Sequence, residues 1–219
     1  MTAELERAAE HAHTTAWIAS VLRSRIAGGQ LTPGSKLSEQ ALSESLGVSR
    51  NTLRQAFATL EGESIVRRIP NRGVFVASPG VEEVREIYRV RRTIEPAAVL
   101  WGTPSAEELD AMEAIVKRAQ EARDAGAVSA MADANQAFHE AVVGLTGSTT
   151  LRELMDRVLA EMRLVFHSMA SAPDFHTHYV HRNAQLVRRL RAGENEKAAA
   201  ELLEYLDAAE AELLGHLED

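Results

Sequence analysis

Apolar residues return at helical spacing over most of this chain. Between residues 50 and 60, Leu53, Ala56, Phe57 and Leu60 make one stripe, and Arg50, Asn51, Arg54 and Gln55 fall on the other side. Ser49 stands at the N-cap position, which places Arg50 in the first turn and Arg54 one turn later on the same side. A shorter helix is expected over 38–46, closed by Gly47. Upstream, Trp17, Ile18, Val21, Leu22 and Ile26 share a face of a helix that starts near Thr14 and stops at Gly28-Gly29. Residues 1–13 are polar and alanine-rich without a clear stripe, and read as a mobile tail. A turn is expected over 31–35. Segments 64–69 and 73–77 alternate apolar with basic or small residues around Pro70-Asn71-Arg72-Gly73, which predicts a two-stranded hairpin.

Ser78-Pro79-Gly80 breaks this pattern, and everything beyond it reads as helix. Six helices are expected near 81–101, 106–125, 128–145, 149–170, 174–191 and 196–217, divided by Gly102-Thr103-Pro104, Gly126, Gly147, Pro173 and Gly193. Short loops between helices of this length favour an antiparallel bundle. The predicted fold is therefore mainly α: a winged helix-turn-helix over 14–77, a linker over 78–80 and an all-helical bundle over 81–219.

Composition changes this picture little. The chain has 219 residues, 45% of them hydrophobic and 26% charged, as in an ordinary soluble globular protein. It has no cysteine, which excludes disulfides and thiolate metal sites. No secretory signal or membrane-spanning run is visible, so the expected address is the cytoplasm without a membrane partner. Charge is more informative. The net charge is −8, but residues 11–78 carry eight Lys/Arg against four Asp/Glu, whereas from Pro79 onward the ratio is fifteen to twenty-five. A basic head on an acidic body suits a module that touches phosphates while its partner does not.

In a helix-turn-helix the second helix lays its N-terminal side chains against base edges in the major groove, and the arginine fork matches the two acceptors of guanine. Arg50 and Arg54 occupy those positions with Asn51 beside them. The alternative is a helical hairpin with a solvated basic face. At the hairpin tip, Arg72 next to Gly73 can enter a minor groove. A plain hairpin closing the core is compatible with the same residues.

The stretches Ile26-Ala27-Gly28-Gly29-Gln30-Leu31-Thr32-Pro33-Gly34-Ser35-Lys36-Leu37-Ser38-Glu39-Gln40-Ala41-Leu42, Leu46-Gly47-Val48-Ser49-Arg50-Asn51-Thr52-Leu53-Arg54-Gln55-Ala56 and Arg72-Gly73-Val74-Phe75-Val76 resemble the DNA-binding domain of GntR-type bacterial regulators. That resemblance implies DNA contacts at Arg50, Arg54, Arg72 and Gly73, with Thr52 near a phosphate. Gln40 stands where some relatives carry a further contacting arginine, and Ser64 replaces a common glycine. In the second half, Arg91-Arg92-Thr93-Ile94-Glu95, Asn135-Gln136-Ala137-Phe138-His139 and Leu190-Arg191-Ala192-Gly193-Glu194 resemble the FCD effector domain of the FadR-like branch. This implies a homodimeric repressor of a palindromic operator with GT/AC-type half-sites, released by a small carboxylate or acyl metabolite.

Many FCD domains hold a divalent metal with an Asp or Asn, a His one turn later and two further histidines. Asn135 and His139 match the first pair and share a helical face. The other two positions fall on Asn183 and Tyr205. His181 lies two residues from Asn183, a rotation of roughly 200° on a helix. One imidazole, two amides and a phenol coordinate a transition metal poorly, so no cofactor is expected; His139 is the ligand if any metal binds. Asn135, His139, Asn183 and Tyr205 are instead expected to converge as a polar effector pocket, with Arg91 free to take a carboxylate or to pair with Glu95. His176, His178 and His181 alternate too closely to present three ligands on one face. The rival readings are a helical metal-binding protein or metalloenzyme built on His139 and neighbouring histidines, and a helical adaptor that binds only proteins.

Overall fold

The computed structural model describes residues 2–168 and 173–218. The chain divides into two compact units, Met1–Ser78 and Pro79–Asp219.

The first unit contains α1 (Thr2–Ala27), β1 (Lys36–Leu37), α2 (Glu39–Leu46), α3 (Arg50–Gly62), β2 (Val66–Ile69) and β3 (Gly73–Val76). Helix α1 begins twelve residues earlier than the apolar stripe predicts, so the expected mobile tail is helical. Nothing between Thr2 and Ala27 stops a helix: the early stretch is rich in Ala and Glu and lacks Gly and Pro. Ile18, Leu22 and Ile26 of α1 are buried with Leu53, Ala56, Phe57 and Leu60 of α3. Trp17 departs from the predicted face and is 47% exposed. A bidentate bond from Arg23 to Glu63, 2.7 and 2.8 Å from Nη2, ties α1 to the end of α3.

Both caps of the helix-turn-helix form as its sequence dictates. Ser49 Oγ accepts from Thr52 N at 3.1 Å, and Gly47 closes α2 in the left-handed conformation, φ 65°. After α3, Ser64 also adopts a left-handed φ of 57°, so the serine takes the backbone shape a glycine would favour. The sheet has three strands in the order β1-β3-β2, both pairings antiparallel, with Lys36 opposite Phe75 and Val66 opposite Val76. Strand β1 escapes sequence reading because two residues carry no period. Arg72 N donates to Ile69 O at 3.1 Å, with Pro70 next and Asn71 at φ 60°, a type II arrangement that turns the wing.

The second unit is α4 (Val81–Trp101), α5 (Ala106–Asp124), α6 (Val128–Gly144), α7 (Thr149–Ser168), α8 (Pro173–Arg191) and α9 (Asn195–Glu218). Residues 169–170, expected to extend α7, lie outside the described residues. Pro173 is the first described residue of α8. Helices α4 and α9 make the most extensive contact in the unit. Val84, Ile87, Phe138, Met155, Leu159, Leu202, Leu206 and Leu213 fill a common core. A Cβ on buried Gly102, between α4 and α5, would overlap the Ala98 carbonyl and come within 2.9 Å of Leu145 Cβ. Gly102→Ala is therefore expected to destabilise this unit by about 1–3 kcal/mol in urea unfolding, whereas an unchanged midpoint would show that the loop can shift freely.

Candidate functional site

The nucleic-acid face is built on the two short helices and the wing. Arg50, Asn51, Arg54 and Gln55 are exposed on α3, and Gln40 is exposed on α2. Gln55 accepts from Thr15 of α1 at 3.3 Å, and Gln40 donates to Glu44 at 3.1 Å. Arg54 is engaged by an acid that sequence reasoning missed: its Nε and Nη2 are each 2.9 Å from Glu39 Oε2. That hydrogen bond and charge raise the Arg54 pKa further above its ordinary value. Thr52 is 3% exposed, and its hydroxyl lies 2.7 Å from Ser49 Oγ. It sits in the first turn of α3, where its N–H donates to Ser49 Oγ. At the wing tip Arg72 and Gly73 are exposed. Gly73 has φ 110°, and a Cβ there would press within 3.2 Å of Lys36 Cε.

In the helical unit, the structure brings all five expected pocket residues together and adds Glu95. Arg91 Nε donates to Glu95 Oε1 at 2.6 Å, one helical turn along α4. Glu95 Oε2 lies 2.6 Å from His139 Nδ1, and His139 Nε2 lies 2.9 Å from the Tyr205 hydroxyl. That hydroxyl is 3.1 Å from Asn135 Oδ1, which also accepts from Asn183 Nδ2 at 2.9 Å. Arg91, Glu95, His139, Asn183 and Tyr205 are all buried. Sequence reading found Glu95 only as the partner of Arg91, because spacing within α4 says nothing of the histidine on α6.

Ionisation follows from burial and these neighbours. Burial alone would raise the Glu95 carboxyl, but Arg91 and His139 outweigh it and bring its pKa to about 2. Burial lowers the His139 pKa; Glu95 pulls the other way without offsetting this, and Arg91 adds to the lowering. Burial thus favours the neutral imidazole in this 2.6 Å contact with the Glu95 carboxylate. The single Tyr205 proton goes to Asn135 Oδ1, and the hydroxyl oxygen lies beside His139 Nε2. Burial pushes Tyr88 up to about 12 and raises Tyr205 above the ordinary phenol range. The Arg91 guanidinium lies 5.0 Å from the Tyr88 ring centroid, and its buried Nη2 has no hydrogen-bond partner among the described residues.

Asn183 and Tyr205 also face a cleft of about 200 Å³ between α8 and α9, lined further by Arg182, Leu186, Leu202 and Glu204. The network therefore adjoins an open surface. The donors here do not fit a divalent metal: the lone imidazole has both nitrogens committed to protein partners, and the phenol stays protonated. Among the described residues no group of three or more His, Asp or Glu could hold one. His178 and His181 are exposed, with His181 Nε2 3.0 Å from Gln185 Nε2, so neither joins buried His139. His176 lies outside the described side chains.

A winged helix-turn-helix with exposed arginines, joined in one chain to a helical unit with a buried polar network, is the build of a DNA-binding regulator with a sensory body. The chain belongs to the bacterial regulatory proteins of the gntR family, matched over residues 14–76, and carries an FCD domain over residues 86–208. It is a transcription regulator and not an enzyme. It is 30% identical over 140 residues to the uncharacterized HTH-type transcriptional regulator YdhC of Bacillus subtilis, an alignment spanning 63% of this chain and 62% of that protein. It is 26% identical to the HTH-type transcriptional regulator LutR of Bacillus subtilis over 89% of this chain and 98% of that one. Among solved structures, a putative GntR transcriptional regulator from Rhodococcus sp. RHA1 superimposes with a TM-score of 0.87 at 38% identity, covering 92% of this chain and 97% of that one. E. coli McbR/YncC shares the fold with a TM-score of 0.75 at 22% identity, covering 91% and 96%.

Two outcomes follow. Glu95→Gln leaves Arg91 as a buried charge with no anion and is expected to cost about 3–5 kcal/mol of stability. For His139, the folded pKa is depressed below the ordinary 6.5, so acid favours the unfolded chain, which takes up the proton first. The stability from a neutral buried imidazole is full above 6.5 and falls as pH drops below it. The contribution of Glu95 persists above 4.5 and is lost only as pH falls toward 2. Unfolding at pH 7.5, 6 and 5 should show a decline that His139→Asn flattens; parallel declines in both proteins would contradict a neutral His139.

Proposed function

We propose that this GntR-family regulator represses transcription by binding a palindromic operator as a homodimer and is released by a small carboxylate or acyl metabolite. Arg50, Asn51, Arg54 and Gln40 read the major groove in this proposal, and the wing tip Arg72-Gly73 enters the adjacent minor groove. Two-fold symmetry of the protein would match that of the operator. The cytoplasm is its place of action; no described helix is long and apolar enough to cross a membrane.

The observation that carries the effector half is Arg91. A guanidinium has five N–H donors, and here it is buried beside the Glu95 carboxylate with Nη2 unpartnered among the described residues. An unsatisfied buried donor is costly, and an anionic ligand atom would satisfy it. In this proposal Tyr205, His139, Asn135 and Asn183, now hydrogen-bonded to one another, exchange some of those bonds for the ligand, which enters by the cleft that Asn183 and Tyr205 line. An effector releases DNA only through different affinity for two arrangements of the protein, so the pocket should govern release and not the unliganded affinity.

Selection of bound sequences from a random DNA pool gives the operator. Arg54→Ala should weaken binding to that operator by about 1–3 kcal/mol and flatten the preference at one guanine. Equal weakening on random DNA would make Arg54 a phosphate contact. Among carboxylates and acyl compounds screened for operator release, the active one should need roughly tenfold more ligand with Tyr205→Phe, a loss of about 1.4 kcal/mol, while unliganded binding stays put. Wild-type release by the variant would remove the phenol from the pocket.

A further inference from the structure

Of the arginines placed on the DNA-reading surface, Arg54 alone is held by a carboxylate. Arg50 and Arg72 make no ion pair among the described residues, whereas Arg54 meets Glu39 across the helix-turn-helix, fifteen residues away in sequence. Both contacts go to one oxygen, Oε2, from Nε and Nη2, each at 2.9 Å. They occupy the side edge of the guanidinium. The end edge, formed by Nη1–H and the second Nη2–H, remains as a parallel pair of donors, which is the shape that matches O6 and N7 of guanine.

Position and exposure both favour an orienting role. Glu39 is the first residue of α2, where the helix N-terminus favours a negative charge, and the Ser38 side chain caps that turn through Ala41 N at 3.3 Å. Its side chain is 28% exposed, against 57% for Arg54, so the acid is seated on the protein and the guanidinium stands outward. An exposed pair of this kind adds little to folding. It does remove rotamer freedom from a long side chain that would otherwise lose that freedom on binding DNA. The Glu39 charge also repels phosphates, which weakens binding wherever no guanine repays the contact.

We propose that Glu39 is a positioning residue for base recognition, holding the side edge of Arg54 so that its end edge meets one guanine of each half-site. The proposal rests on Arg54 reading a base. Full-length wild type, Glu39→Ala, Glu39→Gln, Arg54→Ala and the Glu39→Ala/Arg54→Ala double variant are compared on the operator that wild type selects from a random DNA pool, and on random DNA. Glu39→Ala should lower operator affinity about three- to tenfold, leave or raise affinity for random DNA, and weaken the preference at the guanine that Arg54→Ala also affects. Glu39→Gln retains an amide oxygen for Arg54 and should fall between wild type and Glu39→Ala. The double variant should discriminate no worse than Arg54→Ala. Unchanged thermal transitions in the Glu39 variants would separate this from misfolding. Tighter operator binding by Glu39→Ala would overturn the proposal by making Glu39 a competitor of DNA. An unchanged guanine preference in Glu39→Ala, with that preference lost in Arg54→Ala, would overturn the Glu39 role alone. Intact base preferences in Arg54→Ala would remove the base contact and the Glu39 role together.

Discussion

The Arg91–Glu95 pair is the constraint from which the helical unit's polar core is built. Taking either charge out of water costs several kcal/mol, and the mutual attraction repays this only when the remaining hydrogen bonds are made. Glu95 meets that demand fully, with one oxygen on Arg91 and the other on His139. The carboxylate thereby orients the imidazole, whose Nε2 lies against the Tyr205 hydroxyl that donates to Asn135. Four helices, α4, α6, α8 and α9, are thus tied through one chain of hydrogen bonds. Arg91 meets the demand only in part, since its Nη2 has no hydrogen-bond partner among the described residues.

Arginine does opposite work in the two units. On α3 the guanidinium is exposed and its value lies in geometry, since water satisfies whatever DNA does not. On α4 it is desolvated and its value lies in energy, because no solvent replaces a missing acceptor. A carboxylate accompanies each, Glu39 in one case and Glu95 in the other, and each leaves part of the fork open. In the proposals above, the exposed pair sets a direction for recognition and the buried pair holds a donor for an anion.

Much of this was legible from sequence because short-range physics dictated it. The stripe of Leu53, Ala56, Phe57 and Leu60, the Ser49 cap and Gly47 each report on their own few neighbours, and the helix-turn-helix follows from them. The convergence of Asn135, His139, Asn183 and Tyr205 came through family resemblance, since no periodicity relates α6 to α8 and α9. What was missed depends on contacts between elements. Glu39 lies fifteen residues from Arg54, Glu95 lies forty-four from His139, and β1 exists only because β3 is beside it. The burial of Thr52 is a subtler case: its helical position borders the stripe, and its hydroxyl meets that of Ser49. The helical start of α1 has no apolar signature at all and follows from composition without a stop signal.

The central claim is that the FCD domain of this chain senses an anion directly through Arg91 and its hydrogen-bonded neighbours, without a bound cation between them. Its most direct test is the thermal transition of full-length protein against a panel of small carboxylates, with and without a chelator, in wild type and Arg91→Met. At least one carboxylate should raise the wild-type transition by the same amount in both conditions and leave Arg91→Met unmoved. A stabilisation that vanishes on chelation, or that survives in Arg91→Met, would contradict it.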